Sequence, residues 1–210
     1  MRKVILSFAL IASVLTACKS EKKDKVATKE AVKVAVVADL NNVDVANSVV
    51  TWKGSKPTES HDGTIMLKEG SLNLEAGKLT GGAFVIEMAS IKCLDLDEKG
   101  AAKLVGHLSA PDFFDVAVYA TSKFVITSVA DVEGVLAVTG NLTVKDITKS
   151  ITIPATLTTV GTVTTFKSDS FVIDRTEFNI KYASKTFFNN LKDKFIKDAI
   201  ELSFTVNTKA

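Results

Sequence analysis

The chain has 210 residues, 46% hydrophobic and 24% charged, which is enough to build one sizeable buried core. Its 26 Lys and Arg against 24 Asp and Glu leave a formal charge of +2. So near a balance argues against nucleic acid, because phosphate binding needs a surplus of Lys and Arg on one face.

Arg2 and Lys3 open the chain, and residues 4–15 form an almost continuous apolar run. The run is too short for a permanent spanning helix and suits a secretory signal core. It ends in Leu15-Thr16-Ala17-Cys18, a Leu three residues before a Cys, which resembles the lipobox of bacterial lipoproteins. The resemblance implies that residues 1–17 are a signal peptide and that Cys18 becomes the lipidated first residue. The mature chain would then be formally neutral and keep Cys93 as its one free thiol, so its fold must rest on a core rather than a disulfide. Lys19 gives no clear inner-membrane retention signal, so the expected place is the periplasmic side of the outer membrane, with surface display left open.

Residues 18–44 read as a flexible tether. The stretch 19–26 is charged, and up to Leu40 the chain is mostly Lys, Ala, Val and Glu without Gly, Pro or an aromatic residue. Its composition also favours a partial helix over 27–38.

Residues 45–210 form the domain, and from Ser48 the pattern has period two. Val50 and Trp52 alternate with Thr51 and Lys53; Phe84, Ile86 and Met88 share one face, as do Phe124 and Ile126. Leu136 to Val144, Ile151 to Leu157, Phe171 to Ile173 and Ile200 to Val206 repeat the alternation against Thr-rich or charged faces. Turn signals fall at Lys68-Glu69-Gly70, Ala76-Gly77-Lys78, Glu133-Gly134 and Lys145-Asp146. About eight antiparallel strands follow, as a barrel or a sandwich. Two stretches depart from the pattern: 99–109, with Ala101, Leu104, Val105 and Leu108 at helical spacing before Pro111, and 184–194, with Ser184 as N-cap and Phe187, Phe188 and Leu191 on one side. Both are expected to be short helices covering the ends of the sheet.

Leu104-Val105-Gly106-His107-Leu108 followed by Pro111-Asp112-Phe113-Phe114-Asp115-Val116 resembles the signature of the YceI-like family of polyisoprenoid-binding proteins. Three further stretches match in order: Gly134-Val135-Leu136 through Asn141-Leu142-Thr143-Val144 to Ile153-Pro154, then Phe171 to Phe178, then Leu191-Lys192-Asp193 through Ile200-Glu201-Leu202. Trp52-Lys53-Gly54 with His61-Asp62-Gly63 is similar to lipobox-bearing Bacteroidetes-type members. The resemblance implies an all-β fold: an antiparallel eight-stranded lipocalin-like β-barrel with one or two short helices near one end. It also implies an isoprenoid or other amphiphilic lipid in the interior, of the quinone or prenyl phosphate type, and no other cofactor.

On that reading the ligand-binding candidates are Val50, Trp52, His61, Phe84, Ile86, His107, Phe113, Phe114, Phe124 and Ile126. The inner face of a strand looks the same when it is plain core. Burying a few hundred Å² of tail at about 25 cal/mol per Å² gives roughly 5–10 kcal/mol gross. His61 and His107 are the only histidines, and neither has an i+2 or i+4 His partner, so no metal site is expected. His107 is expected to hydrogen-bond neighbouring backbone, with a ligand headgroup as the alternative. Asp174-Arg175 reads as an ion pair or turn brace, with a diphosphate grip as the sharper alternative for the Arg. Cys93 with His107 and Asp95 invites a nucleophile, but Leu94 and Leu96 favour a semi-buried thiol. The expected function is an envelope lipoprotein that carries, stores or shields an apolar lipid, anchored to the membrane through Cys18, and not an enzyme. The alternatives are a structural or interaction lipoprotein with a filled barrel, and a hydrolase or isomerase acting on a lipid headgroup. Oligomeric state is open, a dimer included.

Overall fold

A computed structural model describes residues 25–33 and 39–210. The expected signal segment, Cys18 and residues 34–38 of the expected tether lie outside the described residues. In chain order come β1 (Lys29–Glu30), β2 (Val49–Ser55), β3 (Ser60–Glu75), β4 (Lys78–Glu87), β5 (Lys92–Cys93), the helix α1 (Glu98–Ser109), β6 (Thr121–Val132), β7 (Val135–Val144), β8 (Ile147–Val160), β9 (Val163–Ser168), β10 (Phe171–Asp174) and β11 (Ala199–Asn207).

Eight of these strands close a ring of antiparallel pairs, β2–β3–β4–β6–β7–β8–β9–β11 and back to β2. Closure decides for a barrel over a sandwich and removes the long free edges an open sheet would carry. Three hairpins turn on two-residue tips with positive φ at both positions: Ala76-Gly77 at 48° and 77°, Glu133-Gly134 at 55° and 86°, Lys145-Asp146 at 49° and 59°. That geometry matches the right-handed twist of the strands it joins, which is why those dipeptides work as turn signals. The signal at Lys68-Glu69-Gly70 is different. β3 runs straight through it with a register shift between Leu67 and Glu69, a bulge rather than a turn. Gly70 is needed there because a methyl group at its Cα would lie 2.9 Å from a ring carbon of Phe84.

Near β10 the ring has a seam. β9 pairs with both β8 and β11, whereas β10 pairs with β11 alone, so the first half of β8 lacks it as a neighbour. Residues 25–33 run along this seam. Lys25 bridges Val172 of β10, the Val26 amide donates to the Val172 carbonyl at 2.8 Å, and Lys29 and Glu30 pair with Ser150 and Lys149 of β8. Asn141 then holds Val32 twice, accepting from its amide at 3.0 Å and donating to its carbonyl at 2.6 Å. The expected helix over 27–38 is therefore absent from its described part, which is extended. Backbone groups at the open seam need partners, and satisfying them outweighs the modest helix propensity of Ala, Lys and Glu.

α1 forms as expected. The Asp97 side chain caps it by accepting from the Gly100 amide at 2.7 Å, and Leu104, Val105 and Leu108 pack on Trp52, Ile65, Met88 and Ile91. The expected helix over 184–194 does not form. One turn begins at Ser184, whose carbonyl accepts from Phe187 and Phe188, but Asn190 and Lys192 take φ of 67° and 49° and only a 3-10 turn at Lys192–Lys194 follows. A short helix in water gains stability mainly from burying a face, and Phe187 and Phe188 are half exposed here.

Candidate functional site

The barrel is filled at one end and hollow at the other. In the half bearing the β3–β4, β6–β7 and β8–β9 tips, Leu72, Val138 and Phe166 are at most 2% exposed. Phe166 stacks on Phe84 at 6.1 Å and meets Phe204 at 4.8 Å, forming a floor. Above it, towards α1, lies an apolar cavity of about 210 Å³ that opens near Gly54, Ser55, Lys56, His61 and Lys197. The Lys197 amide donates to the Ser55 carbonyl at 2.9 Å, which ties the entry to β11 onto the end of β2 at this mouth.

Nine of the ten residues picked from the sequence line the cavity: Val50, Trp52, His61, Phe84, Ile86, His107, Phe113, Phe114 and Phe124. Ile126 does not. It lies one inward step below Phe124 on β6, opposite Gly140, in the filled half at 7% exposure. Sequence reasoning missed the wall on the far side: Leu142 and Val144 of β7, Ile151 and Ile153 of β8, Ile173 of β10, and Leu202 and Phe204 of β11. Their period-two alternation was visible, but nothing in it says which rungs stand above the floor.

The polar groups near the cavity are mostly engaged by the protein. Arg175 is fully buried. Its guanidinium donates to the carbonyls of Lys197 at 3.1 Å, Ile180 at 2.6 Å and Ile196 at 3.0 Å, and to Asp198 at 3.3 Å. Burial pulls its pKa below the ordinary value, while Asp198 and Asp174 oppose the shift. It thus braces the connection between β10 and β11, and its ion-pair partner is Asp198. Asp174 instead pairs with Lys25 at 2.7 Å. The diphosphate grip loses its basis, because four donor contacts are already spent on protein.

His107 stands between Phe113 and Tyr182, with ring centroids 5.8 and 4.8 Å away, so its ring meets aromatic neighbours rather than the backbone contact expected. His61 donates from Nδ1 to Asp95 at 2.9 Å. The other oxygen of Asp95 accepts from Cys93 Sγ at 3.1 Å and from the Asp62 amide at 3.2 Å. The His61 bond is the main reason the Asp95 pKa falls to about 2. Burial, aided by the Asp95 carboxylate, pushes the Cys93 thiol up. A thiol held protonated beside a carboxylate is the reverse of an activated nucleophile. The cluster staples β5 to the start of β3. Among the described residues no three His, Cys, Asp or Glu side chains are arranged to hold a metal ion. Two buried donors among the described residues, the Trp52 indole N–H in the cavity wall and the Ser71 hydroxyl in the filled half, have no hydrogen-bond partner.

The YceI-like domain model matches residues 24–208, a span that takes in the segment lying along the seam. No curated protein matches the chain. Among solved structures, Burkholderia cenocepacia BcnA is similar at a TM-score of 0.65 and 23% identity, over 80% of this chain and 100% of that one. A polyisoprenoid binding domain from Saccharophagus degradans, implicated in plant cell wall breakdown, gives 0.62 and 15%, over 82% and 99%. The Campylobacter jejuni YCEI protein gives 0.52 and 15%, over 96% and 99%.

Proposed function

The chain belongs to the YceI-like family, and on that premise we propose that it binds an isoprenoid or other amphiphilic lipid by its hydrocarbon chain in the barrel cavity. The observation that carries this reading is the open apolar cavity of about 210 Å³ above a packed aromatic floor. An apolar cavity of about 150 Å³ already admits benzene, so this one has room for a stretch of hydrocarbon chain. Removing that chain from water supplies the affinity, at about 25 cal/mol for each Å² of apolar surface covered. Walls of this kind tolerate several tails and need no reacting group, so the role is carriage, storage or shielding rather than catalysis. The description of the Saccharophagus relative as polyisoprenoid-binding supports the ligand class. Leu15-Thr16-Ala17-Cys18 supports an envelope lipoprotein held by a lipid on Cys18 at the periplasmic side of the outer membrane.

The test is purification of the full chain from its own envelope under mild conditions, followed by solvent extraction and mass spectrometry. A prenyl-chain or similar lipid in near-stoichiometric amount is expected. Repeated recovery of empty protein that also fails to take up added prenyl lipid would overturn the reading. The anchor is tested separately: Cys18→Ser should lower the share of the protein that stays in the membrane fraction after a high-salt wash.

A further inference from the structure

Beside the cavity mouth, the connection from β10 to β11 exposes three aromatic rings within seven residues. Tyr182 is 42% exposed, Phe187 46% and Phe188 50%. Large rings on one protruding connection mark a surface that meets something apolar. The same connection, residues 175–198, carries Lys181, Lys185, Lys192, Lys194 and Lys197, all exposed, and buried Arg175, against Glu177, Asp193 and Asp198. Its formal charge of +3 exceeds the +2 of the whole chain, so the rest is net negative. Lysines and rings are also interleaved in space. Lys181 Nζ lies 4.6 Å over the Phe187 ring and Lys185 Nζ 3.8 Å over Phe195.

Among the described residues no other connection exposes several large rings beside several lysines; elsewhere Lys145 lies 5.8 Å over the single ring of Tyr119. At the opposite end the hairpin tips expose aliphatic Val132, Val135 and Val160, with Glu75, Asp131 and Glu133 against Lys78. Acidic residues near the mouth cluster on another stretch of the rim: Asp95, Asp97 and Glu98 at the start of α1, Asp112 and Asp115 after it.

We infer that residues 181–197 dock the cavity mouth onto the surface of an anionic phospholipid bilayer. Phe187 and Phe188 enter the boundary between headgroups and acyl chains, while the lysines lie along their stems and present ammonium groups to the phosphates. Apolar rings with cations beside them on one short connection reproduce the layering of a lipid interface, acyl chains below phosphate. Tyr182 touches His107, which is itself in the cavity wall, so the docked surface is continuous with the mouth. This contact is additional to any lipid on Cys18, and no bound ligand enters its argument, so it goes beyond the functional reading above.

The experiment places a second tryptophan, in the full chain, at either end of the barrel, as Phe187→Trp or Val160→Trp. Each protein is mixed with vesicles of phosphatidylethanolamine and phosphatidylglycerol carrying brominated acyl chains. Trp52 is common to both, so differences report the introduced residue. Trp emission from the Phe187→Trp protein should shift to shorter wavelength and be quenched, that from the Val160→Trp protein should do neither, and adding Lys185→Glu and Lys192→Glu should abolish the response at 187. Anchoring at Cys18 alone would not bury residue 187. Absence of quenching at 187, or equal quenching at both ends, overturns the inference. A response that survives the two Glu changes overturns the electrostatic half of it. Each result is independent of whether a lipid is recovered by extraction.

Discussion

Filling the cavity from its wall distinguishes a hollow barrel from a solid one by the sign of the stability change. Val50 on β2 and Ile86 on β4 both line the cavity and are only partly buried in a barrel whose deeper rungs are closed. At about 24 cal/mol for each Å³ of void, an empty space of about 210 Å³ represents about 5 kcal/mol of unrealised stability. If the ring from Val50→Phe or Ile86→Phe occupies about a quarter of that space, each change should stabilise the lipid-free protein by about 1 kcal/mol. In a packed core the same changes cost about 1–3 kcal/mol through overpacking. Urea unfolding of delipidated protein, followed by circular dichroism and by Trp52 fluorescence, reads the sign. Lipid recovered by extraction from the double variant should fall at least tenfold. Destabilisation by both changes together with undiminished lipid recovery would refute the hollow-barrel argument.

Arg175→Met should cost about 3–5 kcal/mol in urea unfolding, because it strands the buried Ile180 carbonyl, the part-buried carbonyls of Ile196 and Lys197, and Asp198, whereas a headgroup-gripping Arg would lower lipid recovery without that loss. Asp95 has a folded pKa of about 2, below its ordinary carboxylate value, so its contribution is present above that ordinary value and is lost as pH falls from about 4 through about 2. Asp95→Asn should flatten this acid limb of the urea midpoint, and an unchanged limb would show that the His61 contact does not operate. Asn141→Ala removes both bonds to Val32, so amide exchange over residues 26–32 should speed up while β6 and β7 amides keep their protection; no change there would mean the seam contacts alone hold the segment. Gly63→Ala directs a methyl group at the Lys92 carbonyl and the Trp52 ring, and should lower thermal stability more than Gly54→Ala, where nothing lies within 4 Å.

What the chain declares by itself is local. Alternating apolar residues place a strand's inner face, because successive side chains point to opposite sides of a sheet. The turn signals at Ala76-Gly77 and Glu133-Gly134 declare hairpins, and Ala101, Leu104, Val105 and Leu108 before Pro111 declare α1. The same local reading picks nine residues that line the cavity and sets Ile126, which does not, with them, since Phe124 and Ile126 occupy equivalent inner-face positions on β6. Only the closed barrel separates those two, by putting the Phe84–Phe166 floor between hollow and filled halves. Contacts distant in sequence decided the remainder. The seam between β8 and β10 draws residues 25–33 into extended pairing against their helix-favouring composition. Asp198, 23 residues beyond Arg175, takes the guanidinium that sequence adjacency would assign to Asp174. Phe187 and Phe188 have a helical spacing with no face to bury it against. In the first two cases the deciding energy comes from pairing groups far apart in the chain, in the third from the lack of an apolar partner, and both are settled only once the sheet has closed.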